Sequence, residues 1–66
     1  MWYCYAYAVG LVVKHRGITR DPQRRELEHR QRWPGGKLHV LHGPITEARA
    51  RAWEMAQALT VTPERR

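Results

Sequence analysis

The stretch that decides the fold is residues 2–13, which read WYCYAYAVGLVV. Tyr, Val and Leu occupy the odd positions and small residues occupy most of the even ones, so the pattern repeats every two residues. Successive side chains of a β-strand point to opposite faces of its sheet. The alternation therefore predicts one long strand with a bulky face and a small face, and Gly10 marks a bulge within it.

A hairpin is predicted from residue 26 onward, beginning within the basic segment, residues 14–32, that follows this strand. Residues 26–33 and 37–41 read as strands, and Pro34-Gly35-Gly36 between them has the composition of a tight turn. The alternative is a helix over residues 21–33, because an Asp-Pro pair begins the segment and Arg, Glu and Gln favour helices. That alternative changes the order to β-α-β-α. The strand is favoured, because the two large apolar residues of the segment share one face of a strand but lie far apart around a helix.

A helix is predicted at the carboxyl end of the chain. Thr46 is a suitable N-cap and Glu47 lies in the first turn, where the helix dipole favours an anion. Small and apolar residues then recur at helical spacing and predict one buried stripe. The members of this stripe are Ala48, Ala52, Met55, Ala56 and Leu59.

Together these elements predict an α+β fold, a three-stranded antiparallel β-meander with one C-terminal helix packed on one face, in the order β-β-β-α. It forms a single small domain over residues 1–62, and residues 63–66 are expected to be a frayed basic tail. The helix is expected to cover the bulky face of the first strand, with its three tyrosines. Nothing in the chain is then left to cover the small face, which predicts a homodimer interface. Its members are Cys4, Ala6, Ala8 and Gly10.

Length and composition exclude several classes of protein. The chain has 66 residues, of which 42% are hydrophobic, so it is too short for a multidomain enzyme and too apolar for a disordered tail. A single cysteine allows no internal disulfide or cysteine-rich zinc site, and no serine is present to act as a nucleophile. We therefore expect no catalysis, cofactor or metal. The apolar start lacks the basic flank of a secretory signal, which favours a cytoplasmic protein with no membrane partner.

Net charge is the strongest indication of function. Lys and Arg total 12 against 6 Asp and Glu, a formal charge of +6. Most of the excess lies in the middle of the chain, where it would attract nucleic-acid phosphates. The residues expected to bind nucleic acid are Lys14, Arg16, Arg20, Arg24, Arg25, Arg30, Arg32, Trp33 and Lys37.

This charge predicts a small nucleic-acid-binding domain, with DNA the favoured ligand, of the kind found in bacterial or phage regulation. The alternative is a protein-interaction module, a small inhibitor or assembly factor whose basic face docks on an acidic partner protein. Three strands followed by a helix that reads Thr46-x-Ala48-x-x-x-Ala52 resemble, at the level of fold, integrase arm-binding and double-stranded-RNA-binding domains. The leading helix and lysine-rich motif of the latter have no counterpart here, and the likeness assigns no family.

Overall fold

Three strands and two helices make up the part of the chain that the computed structural model describes, residues 1–61, with side chains described to residue 57. The elements are β1 (Trp2–Val9), β2 (Val12–Thr19), α1 (Pro22–Arg32), β3 (Lys37–Ile45) and α2 (Glu47–Val61). The strands form one antiparallel sheet in the order β2-β1-β3. The α+β class is confirmed, whereas the meander and the single helix are not, because β1 is the central strand and α1 connects β2 to β3. The predicted tail, residues 63–66, lies outside the described residues.

The long first strand of the prediction is in fact a hairpin. Val9 pairs with Val12 across a two-residue turn in which Gly10 has a φ of 60°. A positive φ at the first turn position is the property that makes glycine suitable for a type II′ hairpin turn. The apolar alternation continues on both sides of this turn, so periodicity alone does not reveal it.

The predicted strand over 26–33 is wrong, because these residues belong to α1 and its C-terminal cap. Asp21 caps the helix, its Oδ1 accepting a hydrogen bond from the Arg24 backbone N–H at 3.2 Å, and Pro22 occupies the first turn. None of the residues of α1 is fully buried. The helix therefore forms without the apolar stripe whose absence favoured a strand, and the hairpin expected around Pro34-Gly35-Gly36 is instead a connection from α1 to β3.

The two helices lie on opposite faces of the sheet. α1 covers the tyrosine face, where the Tyr7 hydroxyl donates to the Trp33 carbonyl oxygen at 2.6 Å. α2 covers the small face, where Ala50 is completely buried and Cys4 has no exposed surface. The expectation that the C-terminal helix packs on the tyrosines was wrong, since α1, the helix that the sequence offered only as the alternative, takes that place.

α2 begins as predicted but presents a different side to the sheet. Thr46 Oγ1 accepts a hydrogen bond from the Arg49 backbone N–H at 3.3 Å, which confirms the N-cap. Ala50 is buried and Trp53 is half-buried, whereas Met55 of the predicted stripe is 67% exposed. Ala48 and Ala52 are exposed as well, and the side chain of Leu59 lies outside the described residues. Neither α1 nor α2 is long and apolar enough to cross a membrane.

Replacing the cap of α1 tests whether this segment is a helix. Asp21→Ala removes the acceptor for the Arg24 N–H and is expected to lower the free energy of unfolding by about 1 kcal/mol. Urea unfolding followed by circular dichroism measures this loss. Asp21→Asn is the control, because Asn caps helices about as well as Asp. Equal stability of Asp21→Ala and the wild type would contradict the helix boundary.

Candidate nucleic-acid interface

The basic side chains of the middle of the chain gather around β2, which is an edge strand. Lys14 and Arg16 lie on β2 itself, and Arg20 follows it. Arg24, Arg25 and Arg32 lie on α1. Partial burial of the His15 ring on β2 lowers its pKa, and the positive charges of Arg25 and Arg32 lower it further. We call this surface the basic edge. Its basic members are Lys14, Arg16, Arg20, Arg24, Arg25 and Arg32.

One side of the basic edge is a cleft between β2 and α2, here the β2–α2 cleft. Its volume is about 650 Å³, and Lys14 and Arg16 line it opposite Trp53. Glu54 and Gln57 complete the α2 wall. The arrangement places two cations beside a half-buried indole, which suits a ligand with both a negative charge and a flat ring.

The second concave part of the basic edge is a recess of about 340 Å³ where β2 ends and α1 begins. Arg20, Arg24 and Arg25 line it together with Trp2. The guanidinium groups of Arg20 and of Arg51 on α2 each lie 5.9 Å from the centre of the Trp2 ring. The indole and the surrounding arginines therefore stabilise one another by cation–π contacts.

Acidic neighbours neutralise only part of this charge. Glu28 is shared by Arg24 and Arg25, at 3.4 Å and 3.3 Å, and the three side chains are between 42% and 74% exposed. Exposed pairs of this kind contribute about 0.2–1 kcal/mol and exchange readily for other partners. Within the described part of the chain, the remaining basic members of the edge have no ion pair. The surface therefore has an excess of positive charge available to an anion.

Two of the predicted binding residues lie elsewhere. Arg30 projects from the β3 side of α1, where it pairs with Glu26 at 3.6 Å. Lys37 begins β3 and lines a separate recess with His39. The prediction grouped them with the other basic residues because it placed residues 26–33 and 37–41 in one hairpin, whereas the structure places Arg30 on α1 and Lys37 at the start of β3.

Trp33 and two of the tyrosines belong to an aromatic cluster between α1 and the sheet. Tyr5 is 2% exposed and Tyr7 is fully buried. The rings of His15 and His29 lie 4.8 Å apart, and Trp33 contacts both of them. These two tyrosines are therefore part of the core, and their rings are not exposed for stacking on nucleic-acid bases. Arg32 lies over the Trp33 ring at 5.0 Å and links the cluster to the basic edge.

The cluster holds its histidines in an environment that disfavours their protonation. Tyr5 Oη and His29 Nε2 lie 2.8 Å apart, within hydrogen-bonding distance. Burial lowers the pKa of His29, and the positive charge of His15 and of Arg25 lowers it further. Burial raises the pKa of the Tyr5 hydroxyl, so this group remains protonated and can donate to a neutral imidazole.

The predicted dimer strip divides into a covered and an open part. Cys4 has no exposed surface and Ala6 is 8% exposed, because α2 of the same chain lies over them. Ala8 and Gly10 line the recess next to Lys37 and stay accessible. The expectation that nothing in the chain covers the strip was therefore wrong for its first half. Burial, with Glu54 as a smaller contribution, raises the pKa of the Cys4 thiol, so this side chain is an inert packing residue.

The histidines of β3 share a face, contrary to the alternation expected of a regular strand. His39 pairs with Ala6 and His42 with Cys4, because an irregularity in the β1–β3 pairing at this point shifts the register by one residue. Among residues 1–61 no group of three or more His, Cys, Asp or Glu side chains is arranged to hold a metal ion.

Comparison with known proteins assigns no relative. No protein-family model matches the chain, and no curated protein or solved structure is significantly similar to it. What the basic edge binds must therefore follow from its own side chains.

Trp53 and Trp2 are the members of this surface that the sequence did not single out. Trp53 borders the predicted apolar stripe of α2, and Trp2 lies at the start of β1, so both read as packing residues. In the structure both tryptophans are half-buried, whereas Tyr5 and Tyr7 fill the core. Tryptophan is seldom fully buried, so its presence near basic residues indicated a partly exposed ring that could belong to a binding surface.

Proposed function

We propose that the protein is a small non-enzymatic nucleic-acid-binding domain that holds phosphates along the basic edge. The observation that carries the proposal is the concentration, around one edge strand, of basic side chains that have no acidic partner among the described residues, Lys14, Arg16, Arg20 and Arg32 above all. Each neutralised phosphate releases condensed counterions, so such a surface binds nucleic acid in a strongly salt-dependent way.

The contrast between the two edges of the sheet supports the proposal. At the β3 edge the Glu26 carboxylate accepts the Leu38 backbone N–H at 2.9 Å and also pairs with Arg30. Pro44, within β3, has no N–H to offer a further strand. An acid and a proline therefore occupy two backbone positions of the β3 edge, whereas the β2 edge carries cations in excess. Charge also protects edge strands from aggregation, so the binding itself has to be measured.

Salt-dependent binding tests the proposal directly. Fluorescence anisotropy of a labelled random-sequence oligonucleotide, single-stranded and duplex, is measured at 50 and 200 mM salt. We expect binding at 50 mM salt and a linear fall of log K with log salt concentration, with a slope of about −0.7 to −0.9 for each phosphate neutralised. Absence of binding to both forms at 50 mM salt would refute the proposal and leave docking on an acidic protein surface as the function to pursue.

A pair of charge variants locates the contact. Arg16→Gln removes a cation of the basic edge, and we expect the magnitude of the salt slope to fall by about 1. Arg30→Gln removes the same charge from the β3 side, where Glu26 already pairs with it, and is the matched control. Equal losses in the two variants would show that net charge acts without a defined site.

Homodimerisation and a cytoplasmic setting belong to the proposal as well. A dimer through the small strip has Ala8 and Gly10 to use, since α2 covers the rest. The single buried thiol, Cys4, needs no oxidising environment and is suited to the cytoplasm. Sedimentation equilibrium at several protein concentrations measures the oligomeric state.

A further inference from the structure

Trp53 separates two cavities that both contain basic side chains. On one side lies the β2–α2 cleft of about 650 Å³, with Lys14 and Arg16. On the other side lies a smaller cavity of about 240 Å³, with Arg49 and His42. The indole therefore forms a wall between two concave spaces, and each space has its own cation.

The ring of Trp53 is less engaged than the rings of the other two tryptophans. Trp33 packs within the aromatic cluster beneath Arg32, and the guanidinium groups of two arginines lie near the ring of Trp2. Trp53 contacts the ring of His42, edge to face at 6.2 Å, and within the described part of the chain no guanidinium lies over it. Because this half-buried ring lines both cavities, part of it borders open space that a ligand can enter.

A flat ring between two basic cavities has the chemistry of a base-stacking site. Aromatic side chains bind single strands by stacking on unpaired bases, while cations beside them hold the phosphates. Duplex bases are already stacked on their neighbours and cannot reach such a ring without being unpaired. Glu54 also lines the larger cavity, and because its carboxylate repels phosphates, the phosphates belong at the β2 wall with Lys14 and Arg16.

We infer that the β2–α2 cleft binds single-stranded nucleic acid, with a base stacked on Trp53 and the flanking phosphates on Lys14 and Arg16. The inference rests on the proposed function and adds to it the form of the ligand. It requires that single strands bind more tightly than duplexes of the same length, and that the bases contribute to affinity as well as the backbone.

The first experiment uses the wild-type protein. Affinity is measured by anisotropy for a labelled twelve-nucleotide oligothymidine and for an abasic oligonucleotide of the same length and charge. Loss of stacking at one base weakens binding by roughly tenfold. Equal affinity for the two would overturn the inference while leaving phosphate binding, and so the proposed function, intact. Absence of binding to both at low salt would end the proposed function and the inference together.

A set of variants then places the stacking on Trp53. Trp53→Leu is expected to weaken oligothymidine binding about tenfold, and Trp53→Phe, which keeps an aromatic face, to retain most of the affinity. Met55→Ala, on the exposed side of the same helix, is the matched control and is expected to leave the affinity unchanged. Circular dichroism verifies that each variant is folded. Unchanged affinity in folded Trp53→Leu, or tighter binding of a duplex, would overturn the inference.

Discussion

Gly36→Ala is expected to destabilise the protein by about 1–3 kcal/mol, the usual cost of forcing an extra methyl group into a packed core. A β-carbon at Gly36 would come within 2.6 Å of the Tyr7 ring. That ring has no room to retreat, because it is fully buried and its hydroxyl donates to the Trp33 carbonyl oxygen at 2.6 Å. In a domain of this size each 1 kcal/mol corresponds to a fall of roughly 4–8 °C in Tm.

The neighbouring glycine provides the matched control. Gly35 has a φ of 85°, and a β-carbon there would meet no atom within 4 Å. Asn tolerates a positive φ better than most residues, so Gly35→Asn is expected to cost much less than Gly36→Ala. Thermal unfolding followed by circular dichroism compares the two variants. A Gly36→Ala variant as stable as the wild type would contradict the close approach of the α1–β3 connection to the Tyr7 ring.

The features that the sequence predicted correctly depend on local chemistry. Thr46 is a cap, Tyr5 and Tyr7 are buried, and the chain turns at Gly35. Each follows from a preference that acts over a few residues. A hydroxyl accepts a hydrogen bond from a free N–H at the start of a helix, side chains alternate between the faces of a strand, and glycine adopts a positive φ in a turn. The β1 strand was recognised for the same reason, although the prediction continued it through the turn into β2.

The errors arose where tertiary packing decides between local alternatives. The α1 segment lacks an apolar stripe, yet His29 and the adjoining Trp33 supply enough aromatic surface to pack on the tyrosines. α2 has small apolar residues on more than one side, so its pattern did not reveal that Ala50 and Trp53, rather than Met55, face the sheet. Both errors assigned candidate residues to a surface other than the one on which the structure places them. Lys14 and Arg16 remain surface residues, because the prediction placed them in a loop and the structure places them on an edge strand, and both are exposed to solvent.

Acidification is expected to destabilise the protein between pH 7.5 and 5.5, through the aromatic cluster. Burial lowers the pKa of His29, and His15 and Arg25 lower it further, while Glu28 acts in the opposite direction. His15 stays largely exposed, so we place the main effect on His29, which is half-buried. A protonated His29 would also lose the lone pair that accepts from the Tyr5 hydroxyl at 2.8 Å.

The sign of the effect follows from linkage between protonation and folding. The unfolded chain protonates His29 near its ordinary pKa of about 6.5, whereas the folded protein resists protonation until a lower pH. Between these two values the unfolded state binds more protons, so stability falls as the pH drops through 6.5 and levels off below the folded pKa.

Urea unfolding at pH 7.5, 6.5 and 5.5 measures this dependence. His29→Gln, which does not titrate, is expected to flatten it, while His39→Gln, on the opposite face of the sheet, is expected to leave it unchanged. A wild-type stability that rises on acidification, or a slope in His29→Gln as steep as in the wild type, would show that the cluster does not control the response. Stopping above pH 5 keeps Asp and Glu ionised, since their usual pKa values are about 4, so the comparison isolates the histidines.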